Sequence, residues 1–193
     1  MNLHALQHLA KAAQALADDC QIVVLGSASL LASFPDLGHS SGPLASTFDA
    51  DLCPQPFDEN TGKMLEEALG ESRAFHSRHG YHADILRDSI LETLPVGWRE
   101  RLVPVPDCAS VLALEPHDLA AVKLLVGRPK DLALVRILHE YRLIQADTVR
   151  ERLHLLNLPV ASQPRPLASF NAVFVPQPLP PHPGLTPRLM HIP

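Results

Sequence analysis

The sequence predicts an α+β protein with a mixed β-sheet core, a helical C-terminal half and an extended Pro-rich tail. Short β-branched and apolar runs such as QIVVLGS indicate strands alternating with helices in the first part of the chain. From Glu115 the apolar residues recur with helical spacing, and ten prolines follow Asn157. We therefore expect a core over residues 1–114, a helical subdomain over 115–157 and a tail over 158–193.

The elements of the core are predicted from turn residues that separate apolar runs. In chain order we expect a helix over 3–17, a strand over 21–27 that turns at Gly-Ser into the helix ASLLASF, a turn-rich excursion over 35–43 and a strand over 47–53. There follow a helix capped by Asp58 or Asn60 and ending near Gly70, two strands in AFHSRHGYHADILR joined around residues 78–80, and short strands in RLVPVP and SVLALEP.

Three helices are predicted after the sheet. The first begins with Pro116 and runs to about Val126. The stretch GRPKD separates it from a second helix, and Asp147 caps a third helix that Pro159 ends. In the tail, SFNAVFV (169–175) is expected to add an edge strand or to dock on a partner.

The composition excludes some classes of function. The chain has 193 residues, a formal net charge of −5 and evenly scattered Lys and Arg, which argues against binding nucleic acid or membranes through bulk charge. No apolar run is long enough to cross a bilayer. The three cysteines lie far apart without a CxxC pair, so neither a disulfide framework nor a cysteine zinc site is predicted. These features favour a reduced, cytoplasmic protein.

The stretch STFDADLC places two carboxylates, Asp49 and Asp51, on one face of an apolar strand. Phe48, Ala50 and Leu52 alternate with them and are expected to point into the core. Two carboxylates spaced about 7 Å apart along a strand repel each other, and a divalent cation between them removes the repulsion. Oxygen ligands of this kind suit Mg²⁺ or Mn²⁺, which also bind substrate phosphates.

Two further motifs add to this candidate site. Gly26-Ser27 ends a strand at a helix N-terminus, where free backbone N–H groups and a hydroxyl favour binding of an anion. Asp84 lies in YHADIL, a second alternating strand. If the two strands are neighbours, Asp84 lies beside the acidic pair and could take the proton from an attacking hydroxyl.

Together, VVLGSASLL, STFDADL and YHADIL resemble the nucleotidyltransferase superfamily of the DNA polymerase β type. Its pattern is an apolar strand, Gly-Ser, a helix, Asp-x-Asp and a third acid on a later strand. The resemblance covers residues 21–143 and is greatest to small bacterial nucleotidyltransferase-like proteins, including those of toxin–antitoxin and abortive-infection systems. It implies that a nucleoside monophosphate is transferred from an NTP to an acceptor hydroxyl with two Mg²⁺ or Mn²⁺ ions. An RNA end, a protein hydroxyl and a small molecule all remain open as acceptors.

The resemblance also implies roles for individual residues. By position, the metal ligands and catalytic acids are Asp49, Asp51 and Asp84, and the nucleotide-binding residues are Gly26, Ser27, Lys123 and Lys130. The chain differs from the family pattern in its longer gap between the Gly-Ser turn and the acidic pair. It also has Ala45 or Ser46 where related toxins often carry Arg.

Other functions also agree with the sequence. The chain could be a catalytically inactive interaction protein with the same fold, such as an antitoxin, that docks on a protein partner through its tail or first helix. A third reading is a transition-metal protein that uses His76, His79 and His82, although strand alternation would not bring all three together.

Simpler structural roles fit several of these residues as well. Asp84 could pair with Arg87 or Arg73. Lys123 fits a solvated helix flank as well as a phosphate contact. Lys130 and the following aspartate could be an ordinary pair in the first turn of a helix.

Overall fold

A mixed sheet of five strands confirms the predicted α+β class. The computed structural model describes residues 1–159, 162 and 164–175. The strands are β1 (Gln21–Leu25), β2 (Asp49–Gln55), β3 (His82–Ile85), β4 (Val103–Pro104) and β5 (Val111–Ala113), in the spatial order β3-β2-β1-β5-β4. β1 pairs antiparallel with β2 and parallel with β5. The β2–β3 pair is parallel and the β4–β5 pair is antiparallel.

Helices cover the sheet and form the second half of the chain. In the described ranges the α-helices are α1 (Leu3–Leu16), α2 (Leu30–Ser33), α3 (Glu59–Leu69), α4 (Ala74–His79), α5 (Pro116–Val126), α6 (Pro129–Glu140), α7 (Ala146–His154) and α8 (Pro164–Phe174). α1 contacts β1 and α3, while α5 contacts α6, α7 and α8. None of the described helices is long and apolar enough to span a membrane.

The predicted helix starts depend on local hydrogen bonds that the structure shows. Asp58 caps α3, because its carboxylate accepts hydrogen bonds from the backbone N–H groups of Asn60 and Thr61. Glu115 caps α5 in the same way, and Pro116 at the first helical position confirms the predicted start. Gly127 ends α5 in the left-handed conformation at φ 69°. The predicted helix ASLLASF is divided into a 3₁₀ turn over Ser27–Ser29 and the short α2.

Three predictions about individual segments and residues are wrong. The segment AFHSRH is the helix α4, and Gly80 at φ 77° ends it instead of forming a hairpin turn. Both structures favour glycine at positive φ, so the sequence signal was ambiguous. Phe48 precedes β2 and is 56% exposed, whereas Ala50 and Leu52 are fully buried as predicted. Asp147 lies inside the first turn of α7 and pairs with Arg150, and does not cap the helix.

The predicted extended tail is also wrong where the structure describes it. Residues 164–174 form α8, so 169–175 adds no edge strand to the sheet. Phe170 is 2% exposed because α8 packs on α5, α6 and α7. Burial of this aromatic side chain stabilises the helix, and its two prolines, 164 and 166, lie in the first turn, where proline is tolerated. Residues 176–193 of the predicted tail lie outside the described residues.

Asp118 is a fully buried carboxylate that joins α5 to Arg101, which precedes β4, and to Arg152 in α7. Arg101 donates to it from Nε at 2.9 Å and from Nη2 at 3.0 Å, and Arg152 Nε lies 3.2 Å away. Burial raises the pKa of Asp118, although Arg101 and Arg152 oppose the shift. The two ion pairs therefore compensate only part of the desolvation cost of the buried Asp118 carboxylate.

We predict that Asp118→Ala lowers the free energy of unfolding by about 3–5 kcal/mol, since it leaves two largely buried guanidinium groups without their carboxylate. Urea denaturation measures the change. Asp147→Ala is the matched control, because its pair with Arg150 is exposed and should contribute less than about 1 kcal/mol. Equal losses in the two variants would contradict the structural role of Asp118.

Candidate active site

A cavity of about 720 Å³ is lined by every residue that the sequence places in the site. Its lining includes the predicted residues Gly26, Ser27, Asp49, Asp51, Asp84, Lys123 and Lys130. Two charged residues that the sequence analysis did not assign, Arg128 and Asp131, line it as well. Side chains such as Leu86, Ile90 and Val122 form an apolar wall. The structure therefore brings the predicted residues together, whereas their catalytic roles remain predictions.

The three carboxylates come from neighbouring strands. In the β2–β3 pair, Asp51 lies opposite Asp84, and Asp49 lies opposite His82. The predicted adjacency of the two strands is therefore confirmed. Asp84 is the most accessible of the three acids, because its side chain is 50% exposed. Asp49 and Asp51 are less exposed.

The pKa of Asp51 is strongly shifted by its surroundings. Burial, followed by repulsion from Asp49 and Asp84, raises the pKa of Asp51 to about 6. Lys123 and Arg128 act in the opposite direction and favour the charged carboxylate. Asp51 is thus held among like charges that the opposing cations compensate only in part.

Gly26 allows the Asp51 carboxylate to lie directly against the backbone at the end of β1. A Cβ atom at position 26 would come within 1.7 Å of Asp51 Oδ2, and the φ of 57° also disfavours other residues. Ser29 fixes the turn, because its hydroxyl donates to the Gly26 carbonyl oxygen at 2.8 Å. Ser27 follows this glycine and faces the cavity. The Gly-Ser motif therefore sits beside the acidic cluster as well as at the start of a helical turn.

The cations of the site are held by a second buried carboxylate. Asp131 is 1% exposed and accepts hydrogen bonds from Lys123 Nζ at 3.0 Å and from Arg128 Nε at 2.6 Å. Burial opposes its charged form, but the hydrogen bonds from Arg128 and Lys123 outweigh that effect and lower the pKa of Asp131. Lys123 is itself buried, so the solvated-flank interpretation is wrong. Lys130 is exposed at the rim of the cavity.

The sequence analysis did not place Arg128 or Asp131 in the site, because it treated GRPKD as a helix break and Asp131 as a partner of Lys130. Asp131 pairs instead with Lys123 and Arg128. The available signal was the density of charge in this stretch, where three of five residues are charged between two apolar helices. Pro129 begins α6, so Asp131 falls in the first helical turn. From there it reaches back to Lys123 near the end of α5.

The histidines of HSRHGYH do not form one cluster. The rings of His76 and His82 lie 4.7 Å apart, whereas His79 contacts His8 with ring centroids 4.6 Å apart. His82 Nε2 lies 3.4 Å from Asp84 Oδ1. Arg87 pairs with Glu59, so the interpretation that it pairs with Asp84 is wrong.

Within the described ranges, no group of three or more His, Cys, Asp or Glu side chains is arranged to hold a metal ion by itself. This finding argues against the histidine metal site, and it applies to the acidic cluster as well. Mg²⁺ in nucleotide sites commonly takes only one or two carboxylates and completes its shell with substrate phosphates and water. The hard oxygen donors of Asp49 and Asp51 fit such an ion, as do the burial and the repulsion that together raise the pKa of Asp51.

An acidic cluster on adjacent strands, a glycine turn beside it and cations opposite are features expected of a nucleotidyltransferase. Comparison with protein families shows that class. The chain belongs to the family described as "Nucleotidyltransferase of unknown function (DUF6036)", whose model matches residues 1–158. No curated protein and no solved structure matches the chain significantly. The family match includes the whole acidic cluster and the α5–α6 turn, and it ends before α8.

We predict that Asp51→Asn raises the free energy of unfolding at pH 8 by about 2–3 kcal/mol, at about 1.36 kcal/mol per pKa unit. The folded-state pKa of Asp51, about 6, lies above the ordinary value of 3.8 for an aspartate, so the charged carboxylate destabilises the fold at high pH. This penalty decreases as the pH falls through 6 toward 4, and the gain from the substitution should decrease with it.

Urea denaturation at pH 8, 6 and 4 measures this dependence. Asp36→Asn is the matched control, because the Asp36 side chain is 91% exposed. A gain in Asp51→Asn that does not change with pH would contradict the shifted pKa.

Proposed function

We propose that this cavity binds an NTP together with Mg²⁺ or Mn²⁺ and transfers the nucleoside monophosphate to an acceptor hydroxyl. The observation that supports the proposal most strongly is the β2–β3 register, which places Asp84 beside Asp51 on the strand next to Asp49. Lys123 and Arg128 face this acidic cluster closely enough to influence the pKa of Asp51. Opposite charges are therefore available for the metal and for the phosphates in one cavity.

In this proposal Asp49 and Asp51 hold the metal ions, with Asp84 as the third acid. The bound metal supplies charge stabilisation for the phosphoryl group and its leaving oxygen. The protein's part is to keep the two carboxylates on one strand face and to place one of them against Gly26. This preorganised arrangement avoids reorganisation of the ligands during the reaction.

The triphosphate is proposed to bind between the Gly-Ser turn and the α5–α6 turn. Arg128 and Lys123 supply positive charge, and their shared partner Asp131 fixes their positions. Lys130 at the rim is proposed to contact the phosphates from the solvent side. Ser27, which also lines the cavity, offers a hydroxyl and a backbone N–H.

The proposed reaction forms a bond between the acceptor oxygen and the α-phosphorus and breaks the bond from that phosphorus to the bridging oxygen. Pyrophosphate leaves with the electron pair of the broken bond. The proton of the acceptor hydroxyl passes to Asp84, whose half-exposed side chain is open to an incoming acceptor. In this way a neutral hydroxyl becomes a competent nucleophile only when it reaches the acidic cluster.

The acceptor is proposed to be an RNA end, a protein hydroxyl or a small molecule. We also propose a cytoplasmic location, which the spaced, unpaired cysteines support. The resemblance to toxin–antitoxin proteins supports a protein partner. In the described part of the tail, α8 packs on the protein's own helices α5, α6 and α7.

We predict that each NTP that binds does so only with Mg²⁺, and that Asp49→Ala/Asp51→Ala weakens this binding by at least tenfold. The double substitution removes the carboxylates proposed to hold the metal, and a tenfold change corresponds to about 1.4 kcal/mol. Isothermal titration with each NTP, with and without Mg²⁺, measures the affinity.

Asp36→Ala/Asp147→Ala is the matched control, because it removes two exposed aspartates at other places and should bind normally. Thermal unfolding of both double variants establishes that they are folded. If the wild-type protein binds no NTP, the proposed enzyme is contradicted, and the alternative of an inactive interaction protein is favoured.

A further inference from the structure

Helix α8 follows the region matched by the family model and packs against the helices that carry the cations of the site. Phe170 is almost completely buried in this contact. The ring of Phe174 lies 4.6 Å from that of Phe170 and 4.8 Å from that of His139 on α6. Arg136 of α6 also donates to the Ala172 carbonyl oxygen at 3.2 Å. The helix is therefore held by both apolar and polar contacts.

The same helix reaches the turn between α5 and α6 at two points. Arg165 Nη2 donates to the carbonyl oxygen of Val126, the last residue of α5, at 2.9 Å. One residue further on, a Cβ atom on Gly127 would lie 3.3 Å from Ser169 Oγ. Side chains of α8 therefore contact the backbone of the α5–α6 turn at Val126 and Gly127.

Carbonyl groups in the last turn of a helix have no partner within that helix. Arg165 supplies one for Val126, and it does so with a charged donor, which makes a stronger hydrogen bond than a neutral one. The Gly127 N–H donates to the Lys123 carbonyl oxygen at 2.8 Å, and Arg128 follows immediately. The backbone that Arg165 contacts therefore joins Lys123 and Arg128, two of the cations that line the cavity.

We infer that α8 braces the α5–α6 turn and that Arg165 is a positioning residue that holds Arg128 and Lys123 in place for a nucleoside triphosphate. The positioning role rests on the proposed function, whereas the brace itself is a property of the fold. Arg165 does not line the cavity, so its effect on binding is transmitted through the carbonyl of Val126 and the turn.

The experiment uses the full chain with Arg165→Ala, Arg165→Lys and the control Asn171→Ala. Asn171 is an exposed residue on the same helix. Hydrogen exchange measures the amides of Gly127 and Asp131, which donate within the turn. Isothermal titration with the Mg²⁺ complexes of ATP, GTP, CTP and UTP measures affinity.

We expect Arg165→Ala to accelerate exchange in the turn and to weaken nucleotide binding, each roughly fivefold, as for loss of one hydrogen bond. Arg165→Lys keeps a charged donor and should restore most of both properties. Asn171→Ala should change neither, and the melting temperatures of all variants should remain close to that of the wild type. Rescue by lysine distinguishes positioning from a general loss of stability.

Unchanged exchange at Gly127 and Asp131 in Arg165→Ala would overturn the brace, whatever the nucleotide affinity. Faster exchange with unchanged affinity would overturn the positioning role. Faster exchange in a protein whose wild-type form binds no nucleotide would support the brace and contradict the proposed function. The exchange measurement therefore separates failure of this inference from failure of the proposed activity.

Discussion

The repulsion among Asp49, Asp51 and Asp84 is the constraint on which the site depends. These carboxylates lie on two adjacent parallel strands, and Asp51 is placed against Gly26 with little access to solvent. A buried group among like charges favours its neutral form, which explains the pKa of about 6 for Asp51. An arrangement with this cost to folding is characteristic of functional sites, where a ligand relieves the repulsion.

The helical half supplies the opposite charge without neutralising the acidic cluster completely. Asp131 is buried and accepts hydrogen bonds from both Lys123 and Arg128, and in this way it holds the two cations at the cavity. α8 then packs over the turn that joins them. The sheet therefore presents the carboxylates, while the helices present the cations, and neither half contains a complete site.

The sequence predicted the parts of the site that depend on alternation within a strand. The spacing of Asp49 and Asp51 was sufficient to place both on one face, and the short strand around Asp84 was assigned correctly. Arg128 was missed because its role depends on a tertiary contact with Asp131 across a helix break. α8 was missed because the ten prolines after Asn157 conceal a helix that is stabilised mainly by burial on other helices.

The most direct test of this account is an NMR titration of the Asp51 side-chain carboxyl carbon in the wild-type protein, with and without Mg²⁺ and an NTP. The account predicts a pKa of about 6 in the free protein, from burial and from repulsion by Asp49 and Asp84. It predicts a fall in that pKa when the cation and nucleotide bind, because metal ligands must be deprotonated. A pKa near the ordinary value in the free protein, or one that Mg²⁺ and the NTP leave unchanged, would contradict it.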